Sequence, residues 1–137
     1  MQWTMEQVQN WEELREYVDT ALLPLYLLTG DKPIPAHVER MTYLMNIAAA
    51  VEQKLRGRVL LFPLHYQAEE GEAAIRLPEG FKHYMLLQFD DYQWTLTNQP
   101  GHIRKLYIGA EDLQSSVRFA VTADVLQEAI IKEWQIQ

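Results

Sequence analysis

A chain of 137 residues with 48% hydrophobic content, four Trp, seven Tyr and four Phe has the size and composition of one domain that builds its own core, and too many aromatics for a disordered tail. Its formal net charge of −7 opposes nucleic acid and anionic membrane surfaces, both of which select a basic patch, and the richest basic stretch is only "HIRK", His102 to Lys105. The absence of cysteine excludes disulfides, thiolate zinc sites, iron–sulfur clusters and Cys nucleophiles.

The N-terminal stretch "MQWTMEQVQNWEELRE" lacks the basic start and apolar run of a signal peptide. The longest strongly apolar run, "ALLPLYLL", falls far short of the roughly 20 residues that a spanning helix needs. These features imply a cytoplasmic, soluble protein without membrane insertion. Thr4 with Gln7, and Asn10 with Glu13, both fit the capping-box pattern, so a first helix opens at one of them, buries Val8, Trp11, Leu14 and Val18, and ends near Tyr17. "TALLPLYLL" is apolar on both alternations and bounded by Asp19 and Gly30, as in a strand covered on both faces; Pro24 points to an edge or a bulge.

Pro35 suits the first turn of the next helix, where Val38, Met41, Met45, Ala48, Val51 and Leu55 repeat at three and four residues and Gly57 closes the run. "RVLLFPL", Arg58 to Leu64, is a second buried strand, and strand, helix, strand at this spacing is a βαβ crossover that makes the two strands parallel. An acidic Gly- and Pro-marked loop, "YQAEEGEAAIRLPEGF", follows. "KHYMLLQFD" and "KLYIGAE" read as strands, while "DDYQWTLTNQPG" between them fits either a helix turn or a hairpin. "SVRFAVT" can form one more strand, and Thr122 can cap a last helix that buries Val125, Leu126, Ala129, Ile130 and Trp134. The sum is an α/β fold: a single three-layer domain over residues 1–137, with a largely parallel sheet of four to six strands and about three helices.

Open parallel sheets bind ligands beyond the carboxyl ends of their strands. On that rim the sequence places Asp31 after the first strand, and His65 and Tyr66 at the end of the second. These three, with His37, are the candidate catalytic residues. His37 and Glu39 carry metal-ligand chemistry, but positions two apart on a helix diverge by about 200°, which favours solvated helix residues. Glu69, Glu70 and Glu72 could hold a hard cation but lack the Asp/Asn/Gly spacing of a calcium loop. Asp19 reads as a turn or cap residue, Asp90 and Asp91 as a turn signal, and His83 as a hydrogen-bonded core or interface histidine. Ser115 and Ser116 lack a nucleophile-elbow context, and "GDKP" is no phosphate loop. No cofactor or resident metal is expected.

The string "EYVDTALLPLYLL", the Trp-rich acidic start and the "LLFPLHY" strand resemble the YpiF-like family of small intracellular proteins of unknown function. That resemblance spans nearly the whole chain and brings no catalytic residues with it. The order "LLPLYLLTGDKP", helix, "VLLFPLHY", acidic loop, "IRLPEGF" is also similar in architecture to the start of creatininase-like metal-dependent amidohydrolases. Their Glu-x-His after the first strand is replaced here by Thr29, Gly30, Asp31 and Lys32, and their later Asn-Gly-His-Gly-Gly-Asn type segment is missing, "PGHIRK" around His102 being a poor substitute. The expected role is therefore a non-catalytic interaction or regulatory domain that meets a protein partner; the aromatics Trp3, Trp11, Tyr84, Trp94 and Trp134 suggest self-association, as in a self-assembling subunit. The alternative is a small metal-dependent hydrolase using Asp31, His65, Tyr66 and His37.

Overall fold

In a computed structural model, residues 1–68, 73–91, 93–114 and 116–136 are described. The chain enters through two single-turn helices, α1 (Met5–Val8) and α2 (Trp11–Leu14), where the sequence pattern predicts one longer helix. Thr4 caps α1 by accepting from the Gln7 N–H at 3.3 Å, but the Gln7 side chain accepts from Gln2 N–H instead of returning to the cap. Asn10 sits outside helical geometry at φ −107° and ψ 38°, which breaks the run. Val8, Trp11 and Leu14 still pack as a stripe, against Met1, Val18 and Leu60.

β1 (Thr20–Leu28) lies at the centre of the sheet and is buried over its first eight residues. α3 (Ile34–Lys54) follows with Pro35 in its first turn, and Gly57, at φ +101°, makes the tight turn back. The returning edge comes in two pieces, β2 (Val59–Leu61) and β3 (His65–Ala68), both parallel to β1. Leu22 pairs with Leu61 and Leu25 with His65, so Phe62, Pro63 and Leu64 stand opposite only Leu23 and Pro24, a one-residue bulge. Leu22 C=O accepts from Phe62 N–H at 2.9 Å, and parallel strands alternate sides, so Pro24 also faces this edge. Its missing N–H therefore falls at the bulge, where no ladder bond is lost.

β4 (Ala74–Ile75), β5 (His83–Phe89), β6 (Thr95–Leu96) and β7 (His102–Ile108) complete the strands. The main sheet is five-stranded and parallel, with β2 and β3 sharing one edge of β1, then β1, β5 and β7 in order. The connection that runs from β1 to β2 crosses by α3 on one face. Those running the other way, to β5 and β7, pass through β4 and β6 on the opposite face, which keeps one hand throughout. The ambiguous "DDYQWTLTNQPG" contains β6, paired in parallel with β4.

The third layer opposite the helices is thus the β4–β6 ribbon and its loops, which bury Ala73, Ile75, Leu77 and Trp94 against Ala21, Leu23 and Leu25. On the helical face, Leu22, Tyr26, Met85, Leu87 and Phe89 meet α3 and α4 (Ser116–Gln135), the latter preceded by a 3-10 turn at Ala110–Gln114.

Two expectations need correction. "SVRFAVT" is not a strand but the start of α4, and Thr122 lies inside that helix. Phe119, Ala123, Leu126 and Ile130 form its inward stripe, and Phe119 meets Tyr43 of α3 edge-on at 5.6 Å. On α3 the inward stripe is His37, Arg40, Leu44, Ile47, Ala48 and Val51, while Val38 and Met45 are 56% and 45% exposed. The predicted Val38 and Met45 positions belong to a second apolar stripe that no element covers among the described residues.

Candidate functional site

The strand order reverses direction between β1 and β5, so the crevice beyond Leu28 and Phe89 is the fold's natural ligand position. Here the chain's own side chains fill it. Tyr26 reaches from β1 to His37 on α3, with its hydroxyl 2.6 Å from Nδ1, and His37 Nε2 lies 2.9 Å from Thr29 C=O. A carbonyl only accepts, so Nε2–H donates to Thr29 and Nδ1 accepts the Tyr26 O–H. Arg40, one turn further, donates to Asp91 at 2.8 Å and lies over the Phe89 ring at 4.0 Å.

Burial raises the Tyr26 pKa, and the Arg40 guanidinium beside it offsets only part of that, which keeps the phenol a donor. His37, expected on the solvated side of the helix, is 3% exposed. Together these groups clamp the start of α3 to the ends of β1 and β5.

Of the four predicted site residues, His65 stands on the opposite face of the sheet from Tyr66 and His37, and Asp31 is linked to His37 only through Thr29. Asp31 is exposed on the loop, hydrogen-bonded by the Thr29 hydroxyl and paired with Lys32 at 3.3 Å; the Thr29 bond chiefly, with Lys32, lowers its pKa against some desolvation. His65 opens β3 rather than ending a strand, because the bulge delays pairing and the strand continues to Ala68. Its ring meets Trp94 at 5.4 Å, on the face of the β4–β6 layer. Tyr66 is exposed beside Tyr26, on the helical side. Among the described residues, no three His, Asp or Glu side chains form a group that could hold a metal. The Glu69, Glu70 and Glu72 run and Ser115 lie outside the described residues.

A different surface stands open. Ile34, Val38, Met41 and Met45, at i, i+4, i+7 and i+11, share one face of α3, and Ile34, Val38 and Met45 are exposed. Met45 lines a groove of about 330 Å³ with Trp3, Phe62, Pro63 and Leu64, at the bulge between β2 and β3. Trp3, 55% exposed, packs on Phe62 at 4.6 Å and also walls a second groove of about 500 Å³ with Met5, Val8 and Trp11. The two grooves and the α3 stripe form one apolar face along the sheet edge.

A family model described as "Protein of unknown function (DUF2487)" matches residues 9–134. The chain belongs to this family. It is also 21% identical over 133 residues to the uncharacterized protein YpiF of Bacillus subtilis (strain 168), covering 97% of this chain and 89% of that one, as the YpiF-like strings imply. No solved structure matches it.

In this DUF2487 chain the sequence reading missed Arg40, whose burial nothing local announces, and the open stripe. A signal for the stripe existed: α3 carries more apolar positions than one roughly 100° face accommodates. Leu44 and Ile47 belong to one stripe, Val38 and Met45 to the other, and periodicity alone does not say which faces the sheet. No helix among the described residues is long and apolar enough to cross a membrane.

Proposed function

We propose that this DUF2487 protein is a non-catalytic interaction module that meets a protein partner through the face formed by the outer stripe of α3 and the Trp3 grooves. One observation carries the reading: the crevice where such folds bind ligands is packed with Tyr26, His37, Arg40 and Phe89, while large apolar side chains stand uncovered elsewhere. Contiguous exposed apolar surface mostly marks a contact site. His65 lies across the sheet from Tyr66 and His37, and both ring nitrogens of His37 are engaged by Tyr26 and Thr29, which weighs against the metal-dependent hydrolase; neither the family nor the relative carries a catalytic name. The cysteine-free composition accords with a cytoplasmic setting.

A photo-crosslinking residue at position 38, compared with one at the equally apolar and exposed Val125 on α4, tests the reading in cells. Adducts of discrete size are expected from position 38 alone, lost when Trp3→Ser is added. Equal adducts from both positions, or turnover of an amide or ester that disappears in Asp31→Ala or His65→Ala, would overturn it.

A further inference from the structure

The charge around the open face identifies the chemistry of what covers it. Glu6 on α1 and Glu12 and Glu13 on α2 are all exposed, on the helices whose Met5, Val8 and Trp11 wall the second groove. Through residue 18, four Glu stand against the single Arg15, and Arg15 is already paired with Glu12 at 3.3 Å. Lys32 and Arg40 of the neighbouring loop and helix are likewise held, by Asp31 and Asp91. The segment that walls the Trp3 grooves thus carries an excess of exposed carboxylates, in a chain of net charge −7.

The α3 stripe from Ile34 to Met45 extends about 16 Å at 1.5 Å per residue, the length of three helical turns. A helical ridge of that length is best covered by another helix, with anchors at i, i+3/i+4 and i+7. Resting on the interaction reading, we propose that the partner segment is a cationic amphipathic helix: its apolar side enters the Trp3 grooves and lies along the α3 stripe, and its Lys or Arg residues meet Glu6, Glu12 and Glu13. A second copy fits less well. A two-fold contact would bring two identical acidic segments together, and like charges facing one another across an interface oppose association. Anionic lipid is opposed for the same reason.

Two labelled peptides of one Leu scaffold, differing only in Lys or Glu at every polar position, provide the test by fluorescence anisotropy with the intact chain. The Lys peptide is expected to bind with a micromolar Kd that weakens at least tenfold from 50 to 300 mM salt, with the Glu peptide at least tenfold weaker throughout. Trp3→Ser with Val38→Ser should cost at least tenfold. The triple variant Glu6→Lys, Glu12→Lys, Glu13→Lys should exchange the preference and take the Glu peptide. All these positions are exposed, and unchanged circular dichroism and Tm verify the fold of each variant. Equal binding of both peptides, lost in the Trp3/Val38 variant, would refute the cationic partner and leave the interaction face standing. So would a wild-type dimer in sedimentation equilibrium that this variant returns to monomer. Binding indifferent to Trp3 and Val38, or binding of neither peptide by a monomeric chain, would remove the proposed face together with its partner.

Discussion

Replacing Tyr26 by Phe removes one oxygen from the clamp between β1 and α3 and leaves the ring, with its edge-on contacts to His37 at 5.7 Å and Phe89 at 6.2 Å, in place. His37 Nδ1 then loses the donor that lies at 2.6 Å and stays buried without one. A buried acceptor left unsatisfied costs about 1–3 kcal/mol. Unfolding entropy of about 2.1 cal/mol/K per residue makes this a fall in Tm of roughly 3–10 °C for a chain of this length. His37→Leu strands Thr29 C=O and removes the Nδ1 acceptor of the Tyr26 hydroxyl, which keeps the Arg40 guanidinium beside it, and should cost about 1–3 kcal/mol. Once one partner is gone, removing the other adds little, so the double variant should be less destabilised than the sum of the singles by about 1–2 kcal/mol. Urea unfolding followed by circular dichroism at pH 7 measures all three. Singles that add within about 0.5 kcal/mol, or a Tyr26→Phe variant as stable as wild type, would show that the clamp carries no coupled hydrogen bond.

The two stripes of α3 should respond oppositely to truncation. Leu44→Ala empties a fully buried position and should lower stability by about 2–5 kcal/mol, whereas Val38→Ser should change it by less than about 0.5 kcal/mol; comparable losses in thermal melts would contradict the assignment of faces. At the amino edge of the sheet, Asp19 is gripped by Arg58 at 2.9 and 3.1 Å. Burial alone would raise its pKa, but the hydrogen bonds from Arg58 and Thr20 and the nearby positive charge bring it below the ordinary 3.8. Its stabilisation is therefore present above that value and lost as pH falls through the lower folded pKa, and Asp19→Asn should flatten this acid limb. Nearby His83 is depressed below 6.5, mainly by burial, with Asp19 opposing and Arg58, His102 and Lys82 assisting. The unfolded chain takes that proton first, so stability should decline as pH drops below 6.5 toward the folded pKa. His83→Gln should abolish that slope in urea midpoints measured from pH 8 to 5, and an unchanged slope would assign it elsewhere.

Local pattern was enough for elements whose burial is symmetric and fell short where it is not. β1 and β5 are apolar on both alternations because both faces are covered, so any register would have revealed them. The parallel pairing of β1 with β2 follows from chain length between them, and the bulge was foreshadowed by Pro24. α4 misled because Val117, Phe119 and Val121 alternate as in a strand. In the folded chain Val121 and Val125 line the solvent side and Phe119 packs on Tyr43, a distinction set by a residue far away in sequence. The same holds for β4 and β6, two-residue strands that exist only as each other's partners.

The rim residues show why site prediction is harder than fold prediction. Asp31, His65 and Tyr66 lie at strand ends in the sequence pattern, yet one extra residue at Phe62–Leu64 moves His65 inward and turns its ring toward Trp94. His37 and Arg40, three residues apart, were instead drawn inward together because Tyr26 and Asp91 supply partners for them. These two polar groups share the inner face with Leu44, Ile47 and Val51, and their partners are expected to fix the rotation of α3 about its own axis. That rotation is what turns Ile34, Val38 and Met45 outward. If the polar clamp were replaced by apolar residues of similar size, with Tyr26→Phe, His37→Leu and Arg40→Met together, both stripes of α3 would compete for the sheet. Slower amide exchange at Leu44 and Ile47 than at Val38 and Met45 in the wild type, and loss of that contrast in the triple variant, would show that the clamp sets the exposed face. Contrast retained in the triple variant would assign the rotation to Leu44, Ile47 and Val51 packing alone.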